Sequence, residues 1–136
     1  MSSYSIIEIE GIGPSFTKKL QKIGIRTTGK LLERAASPKG RRQLAEESGI
    51  DESRILKWAN MADLMRIKGV AEEYSELLEA AGVDTVKEMK RRNAANLAEK
   101  MAEVNAKKKL VRLLPSEKRV DGWVAHAKKL KAVMTY

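Results

Sequence analysis

Short apolar stripes at helical spacing run along the whole chain, and residues that start or stop a helix bracket each of them. Phe16, Leu20 and Ile23 form an i, i+4, i+7 stripe. Pro14 stands where that helix begins, since its missing N–H would be unpaired there anyway. Gly24 is placed to end it with positive φ. Thr27 or Thr28 caps the next short helix, and Ser37 caps another, with Pro38 in its first turn and its end near Gly49. Asp51 caps a longer helix carrying Ile55, Trp58, Ala62 and Met65. Farther on, Thr85 and Glu88 have the spacing of a capping box. Asn93 and Ser116 cap two further helices, with Pro115 as the break between them. Nothing alternates with period two for long enough to make a sheet, and a strand at Ser5–Ile9 is not favoured. The pattern predicts an all-α chain.

The stripes repeat. Residues 9–32 read IEGIGPSFTKKLQKIGIRTTGKLL and residues 67–90 read IKGVAEEYSELLEAAGVDTVKEMK, at a constant offset of 58. Ile9 matches Ile67, Gly11 matches Gly69, Phe16 matches Tyr74, Leu20 matches Leu78 and Gly24 matches Gly82. Beyond this block the offset becomes 65, pairing Ile55 with Val120, Trp58 with Trp123, Ala62 with Ala127 and Met65 with Leu130. Apolar and glycine positions survive while charges change sign, as expected when a backbone path is what repeats. The chain divides into two units, 1–66 and 67–136. No Pro/Gly/Ser-rich linker separates them, so they are expected to pack as one compact body.

The segment Ile9-Glu10-Gly11-Ile12-Gly13-Pro14-Ser15-Phe16 carries the chemical signal. Two glycines around one apolar residue allow a tight turn between helices, with backbone N–H groups directed outward and the apolar residue plugged inward. Such N–H groups at a helix N-terminus suit an anion, a phosphate oxygen above all. Ser15, Thr17, Lys18, Lys19 and Lys22 follow the turn and would neutralise the strand around it.

The pattern IEGIGPSFTKKLQKIGI followed by T-x-x-x-L-L resembles the helix-hairpin-helix family, in the version seen in recombinases and DNA-repair proteins. Over nearly its whole length the chain also resembles a bacterial family of tandem helix-hairpin-helix proteins with no assigned function. The resemblance implies two tandem helix-hairpin-helix units, each a small SAM-like helical bundle. It also implies sequence-independent contacts from the hairpin amides to DNA phosphates. Carried over position by position, Gly11, Ile12 and Gly13 match the hairpin, supported by Lys18 and Lys19. In the second hairpin Gly69 and Val70 match, but Ala71 replaces the second glycine. Residues 67–88 hold two basic and six acidic side chains, which would repel phosphate. The second hairpin is therefore read as structural.

Composition narrows the classes. The 136 residues are 43% hydrophobic, enough for a real core, and the net charge of +9 favours a polyanionic partner. Residues 89–136 hold 13 basic and 4 acidic side chains, an excess equal to that of the whole chain. Lys107, Lys108, Lys109 and Arg112 form one cluster of a basic C-terminal surface, and Arg41-Arg42 is a weaker candidate of the same kind. Without cysteine there are no disulfides, thiolate zinc sites or cysteine nucleophiles, and the lone His126 cannot build a multi-histidine metal site. Trp58 and Trp123, at matched positions on apolar faces, read as core anchors rather than base-stacking platforms.

Residues 1–15 lack a signal peptide, and no run approaches the roughly eighteen apolar residues of a membrane span. A soluble cytoplasmic protein is expected, without metal, cofactor, membrane or small-molecule substrate. Helix-hairpin-helix glycosylases need a catalytic Lys or Asp lining a base pocket, and none stands out, so the reading is non-enzymatic. Two functions follow. The first is binding of DNA backbone, duplex above all, through the first hairpin and the basic C-terminal surface. The alternative is a protein-interaction or scaffold module that keeps the fold without DNA binding.

Overall fold

The computed structural model describes residues 3–9, 11–70 and 72–136, the side chain of Glu72 excepted. Its elements are α1 (Gly13–Lys22), α2 (Thr28–Ala35), α3 (Pro38–Ser48), α4 (Glu52–Leu64), α5 (Glu72–Ala80), α6 (Val86–Met89), α7 (Ala94–Lys108) and α8 (Glu117–Lys129), preceded by a 3-10 turn at Ile6–Glu8. Among the described residues there is no strand, only an isolated bridge between Ser5 and Thr27. The chain is all-α and compact.

Side-chain caps set the helix starts. The side-chain oxygens of Thr27, Ser37, Asp51, Thr85, Asn93 and Ser116 each accept the backbone N–H three residues on. These are the caps expected from sequence. The reciprocal half of the capping box is absent at Glu88, whose carboxylate instead lies 3.6 Å from Arg92. Gly49 ends α3 in the left-handed region at φ 75°, its N–H returning to the Ala45 carbonyl.

Two hydrophobic clusters form the core, and α4 runs between them. The first gathers Ile6, Ile9, Ile12, Leu20, Ile25 and their neighbours against Trp58, Met61 and Met65. Around Trp123 the second cluster gathers Leu64, Ile67, Val70, Tyr74 and Leu78. Matched residues make matched contacts: Phe16 meets Trp58 with ring centroids 5.1 Å apart, and Tyr74 meets Trp123 at 5.2 Å. Every residue from Met61 to Ile67 is buried, Asp63 and Arg66 included.

The last six residues return to the first cluster. Met134 is buried in it, the Thr135 N–H donates to the Ala36 carbonyl at 2.8 Å, and the Tyr136 hydroxyl donates to Asn60 at 2.8 Å. Arg66 donates to the Lys131 carbonyl and Arg41 to that of Thr135, both at 2.8 Å.

Two helical glycines should respond oppositely to alanine. In α3 a Cβ on Gly40 would lie 2.2 Å from the Arg34 carbonyl oxygen, so backbone must move. Midway along α8 a Cβ on Gly122 meets nothing within 4 Å. Gly40→Ala is expected to cost about 1–3 kcal/mol through overpacking. Gly122→Ala is expected to add about 0.5–1 kcal/mol from reduced chain entropy. Urea unfolding of the two variants checks both signs, and a stabilised Gly40→Ala would contradict the packing of α2 against α3.

Candidate nucleic-acid interface

The first turn is built by two glycines on either side of a buried plug. Gly11 (φ 85°) and Gly13 (φ 66°) both occupy the left-handed region, where a side chain is strained. Between them Ile12 is 1% exposed, and its N–H donates to the Ile9 carbonyl at 3.2 Å. A Cβ at Gly11 or Gly13 would meet nothing within 4 Å, so glycine is required there by conformation, and the space above the turn is open.

The same turn begins α1, which has no side-chain cap, and Pro14 supplies no N–H. The amides of Gly13 and Ser15 therefore stand at the helix start without intrahelical acceptors, where the dipole is positive. Both residues are exposed, as are Gly11, Lys18, Lys19 and Lys22.

Three expected contributors sit differently. Thr17 is buried and its hydroxyl donates to the Gly13 carbonyl at 2.7 Å, so it braces the turn from below. The Ile12 amide is engaged within the turn, which leaves Ile12 as the plug and not as an anion ligand. Arg41 is 5% exposed and donates to the carbonyls of Ala35, Ala36 and Thr135, so it belongs to the framework; Arg42 is exposed.

One cation beside the turn was missed. The Arg54 guanidinium lies over the Phe16 ring at 5.2 Å from its centroid, and Lys19 lies over the same ring at 5.7 Å. Arg54 also pairs with Asp51 at 2.6 Å. The Ser53 hydroxyl, and after it Arg54, hold the Asp51 carboxyl below the usual carboxylate range against the opposing effect of burial. The repeat contained the signal, because Arg54 and Arg119 are matched at the offset of 65.

The second turn repeats the path with different surroundings. Gly69 has φ 92°, and buried Val70 donates its N–H to the Ile67 carbonyl at 3.0 Å. Ala71 lies outside the described residues. A Cβ at Gly69 would come within 3.0 Å of the Trp123 indole nitrogen, so close approach is a further reason for glycine here.

Lys68, Arg119, Trp123 and His126 line the groove beside this turn, and the Lys68 N–H donates to His126 Nδ1 at 2.9 Å. The Tyr74 hydroxyl accepts from Arg119 at 3.2 Å, and Arg119 stacks over the Tyr74 ring at 5.0 Å. Glu76 and Glu79 line a separate cleft with Lys57, Lys108 and Leu110. There burial raises the Glu79 carboxyl, with Lys57, 4.0 Å away, opposing. Lys68, Arg119 and His126 thus stand beside the second turn, and the exposed Glu73 follows it in the first turn of α5.

The C-terminal cations Lys107, Lys108, Lys109 and Arg112 are all exposed. Lys108 shares its cleft with Lys57, one turn beyond Arg54 on α4. Cations on α1, α4 and α7 therefore succeed one another across the surface, with Asp51, Glu76 and Glu79 between them. Among the described residues no group of three or more His, Asp or Glu side chains is placed to hold a metal ion, and no helix is long and apolar enough to cross a membrane.

The chain belongs to the DUF4332 family, a domain of unknown function, whose family model matches residues 10–130. Neither a curated protein nor a solved structure matches it.

Proposed function

We propose that this DUF4332 protein is a tandem helix-hairpin-helix protein that binds the DNA backbone, duplex above all, without sequence preference and without catalysis. It does so as a bacterial cytoplasmic protein, through the first turn and the basic C-terminal surface. The observation that carries the reading is the Gly11-Ile12-Gly13 turn. Both its glycines are left-handed, the space above is open, α1 has no side-chain cap, exposed Lys18, Lys19 and Lys22 follow along α1, and Arg54 packs on Phe16. Amides and a helix dipole position a phosphate, while long cations neutralise its neighbours. Neither group reads a base edge, so sequence preference is not expected.

The test is fluorescence anisotropy with labelled duplex and single-stranded DNA at low and physiological salt. Wild type should bind duplex at micromolar concentration or better, with log affinity falling by about 0.9 per phosphate contacted for each decade of salt. Gly13→Asp places a carboxylate over the turn at a strained φ and should abolish binding. Lys18→Glu/Lys19→Glu alters only exposed side chains and should weaken binding at least about tenfold and flatten the salt slope. Duplex binding by both variants as tight as wild type would sink the reading. The acidic side chains of α5 favour a second reading, a module for a protein partner, which takes over if neither strand type binds at low salt.

A further inference from the structure

Two leucines stand in water on a loop that is firmly held. Leu113 is 75% exposed and Leu114 is 39% exposed, between α7 and α8. On either side of them the chain turns inward: Leu110 and Val111 pack on the second cluster, and Pro115 is buried. Asn105 clamps the loop with both ends of its amide, accepting from the Val111 N–H and donating to the Val111 carbonyl, each at 3.0 Å. The Tyr74 hydroxyl donates to the Leu113 carbonyl at 3.4 Å. The leucine backbone is thus tethered from both sides of the tip.

Cations flank that tip along the chain. Residues 107–119 contain Lys107, Lys108, Lys109, Arg112, Lys118 and Arg119 against the single acid Glu117, and all of these are exposed. The charges select an anionic partner but do not distinguish nucleic acid from an anionic bilayer. The leucines do. A phosphate backbone offers them no apolar surface, whereas the boundary between headgroups and acyl chains accepts apolar side chains while cations beside them stay at headgroup level.

We propose that the α7–α8 loop docks on an anionic lipid surface, Leu113 and Leu114 entering the acyl boundary while Lys107, Lys109, Arg112 and Lys118 face the headgroups. The expectation of no membrane partner rested on the lack of a spanning segment, and surface docking requires none. Each cation near such a surface is worth roughly fivefold in partition, and the effect decays with salt. The loop is a separate site from the first turn but shares Lys107, Lys109 and Arg112 with the basic C-terminal surface assigned to DNA, and the proposal holds whether or not the first turn binds DNA.

The test is co-sedimentation of the full chain with mixed phosphatidylserine–phosphatidylcholine vesicles, compared with phosphatidylcholine alone. The chain should sediment with the mixed vesicles at low salt and stay in solution with the neutral ones. Leu113→Ser/Leu114→Ser should lower partition at least about tenfold, with an unchanged circular dichroism spectrum and unchanged duplex affinity. Lys107→Glu/Lys109→Glu should lower it by a similar factor. The proposal is overturned if wild type ignores the mixed vesicles, as a protein partner for the loop would imply. It is equally overturned if the serine variant binds them as well as wild type, which would reduce the effect to charge, or if that variant loses duplex affinity alone.

Discussion

Asp63→Ala is expected to remove about 3–5 kcal/mol of stability, the usual cost of deleting one partner of a buried ion pair. In urea unfolding this appears as a lower midpoint at unchanged slope. Asp63 is 1% exposed and Arg66 6%, with 2.8 Å between Oδ1 and Nη1. The other carboxylate oxygen accepts the Val86 N–H at 2.9 Å, at the first residue of α6. One side chain thus neutralises a buried guanidinium and satisfies a buried backbone donor 23 residues away. Alanine would leave the Val86 N–H without its acceptor and the guanidinium charge with only the Lys131 carbonyl, its Nε already lacking a partner among the described residues. For a domain of ordinary stability, about 5–15 kcal/mol, such a loss is a large fraction of the whole. A control separates charge from packing: Asp63→Leu/Arg66→Met removes both ions and should recover much of the loss. A cost below about 1 kcal/mol for the alanine variant, as at an exposed pair, would show that the site is hydrated in solution.

Asp63 marks a limit of what the sequence discloses. Caps were legible because each depends on a side chain and an amide only three residues apart, as at Ser37 and Gly40 or Asn93 and Asn96. The stripe Ile55, Trp58, Ala62, Met65 was legible for the same local reason. It also implied a single buried face for α4, whereas this helix lies between two clusters and is enclosed along its last turns. Asp63 and Arg66 then become interior groups whose partners are Val86 and Lys131, set by the tertiary path and not by spacing. The end of the chain was invisible likewise. Nothing periodic announces residues 131–136, and the Arg41 that holds them looked like a surface cation.

The candidate site divides along the same line. The glycine-apolar-glycine turn and the exposure of Lys18, Lys19 and Lys22 are local properties, and the sequence carries them. The burial of Thr17 depends on how α1 packs, and its hydroxyl then donates to the carbonyl one helical turn back. A charge count over residues 67–88 does not give placement, because a helix distributes neighbours in sequence around its circumference. Glu76 and Glu79 reach the Lys57 and Lys108 cleft, while Arg119 arrives at the second turn from α8. Net charge per segment is therefore a poor guide to the potential at one turn, where three or four side chains within a Debye length decide it.

The two tryptophans allow a test of whether the clusters stand or fall together. Trp58→Ala should cost about 3–5 kcal/mol, the range for emptying a buried aromatic site. Trp58 is 2% exposed and carries Phe16, so its loss loosens the seat of α1 and with it the first turn. Trp123, also 2% exposed, meets Tyr74 and faces Gly69, so Trp123→Ala should cost a similar amount from the other side. Each variant leaves a single indole that reports on the opposite cluster. In Trp58→Ala the remaining emission comes from Trp123, and it should change at the same urea concentration as the helical signal, with the whole transition shifted downward. Three connections require that coincidence. The α4 helix contributes Met61 to one cluster and Leu64 to the other, Asp63 ties α4 to α6, and residues 131–136 cross back to Ala36 and Asn60. If Trp123 emission keeps the wild-type midpoint while part of the helical signal melts early, those connections are too weak to couple the halves, and each cluster folds on its own account.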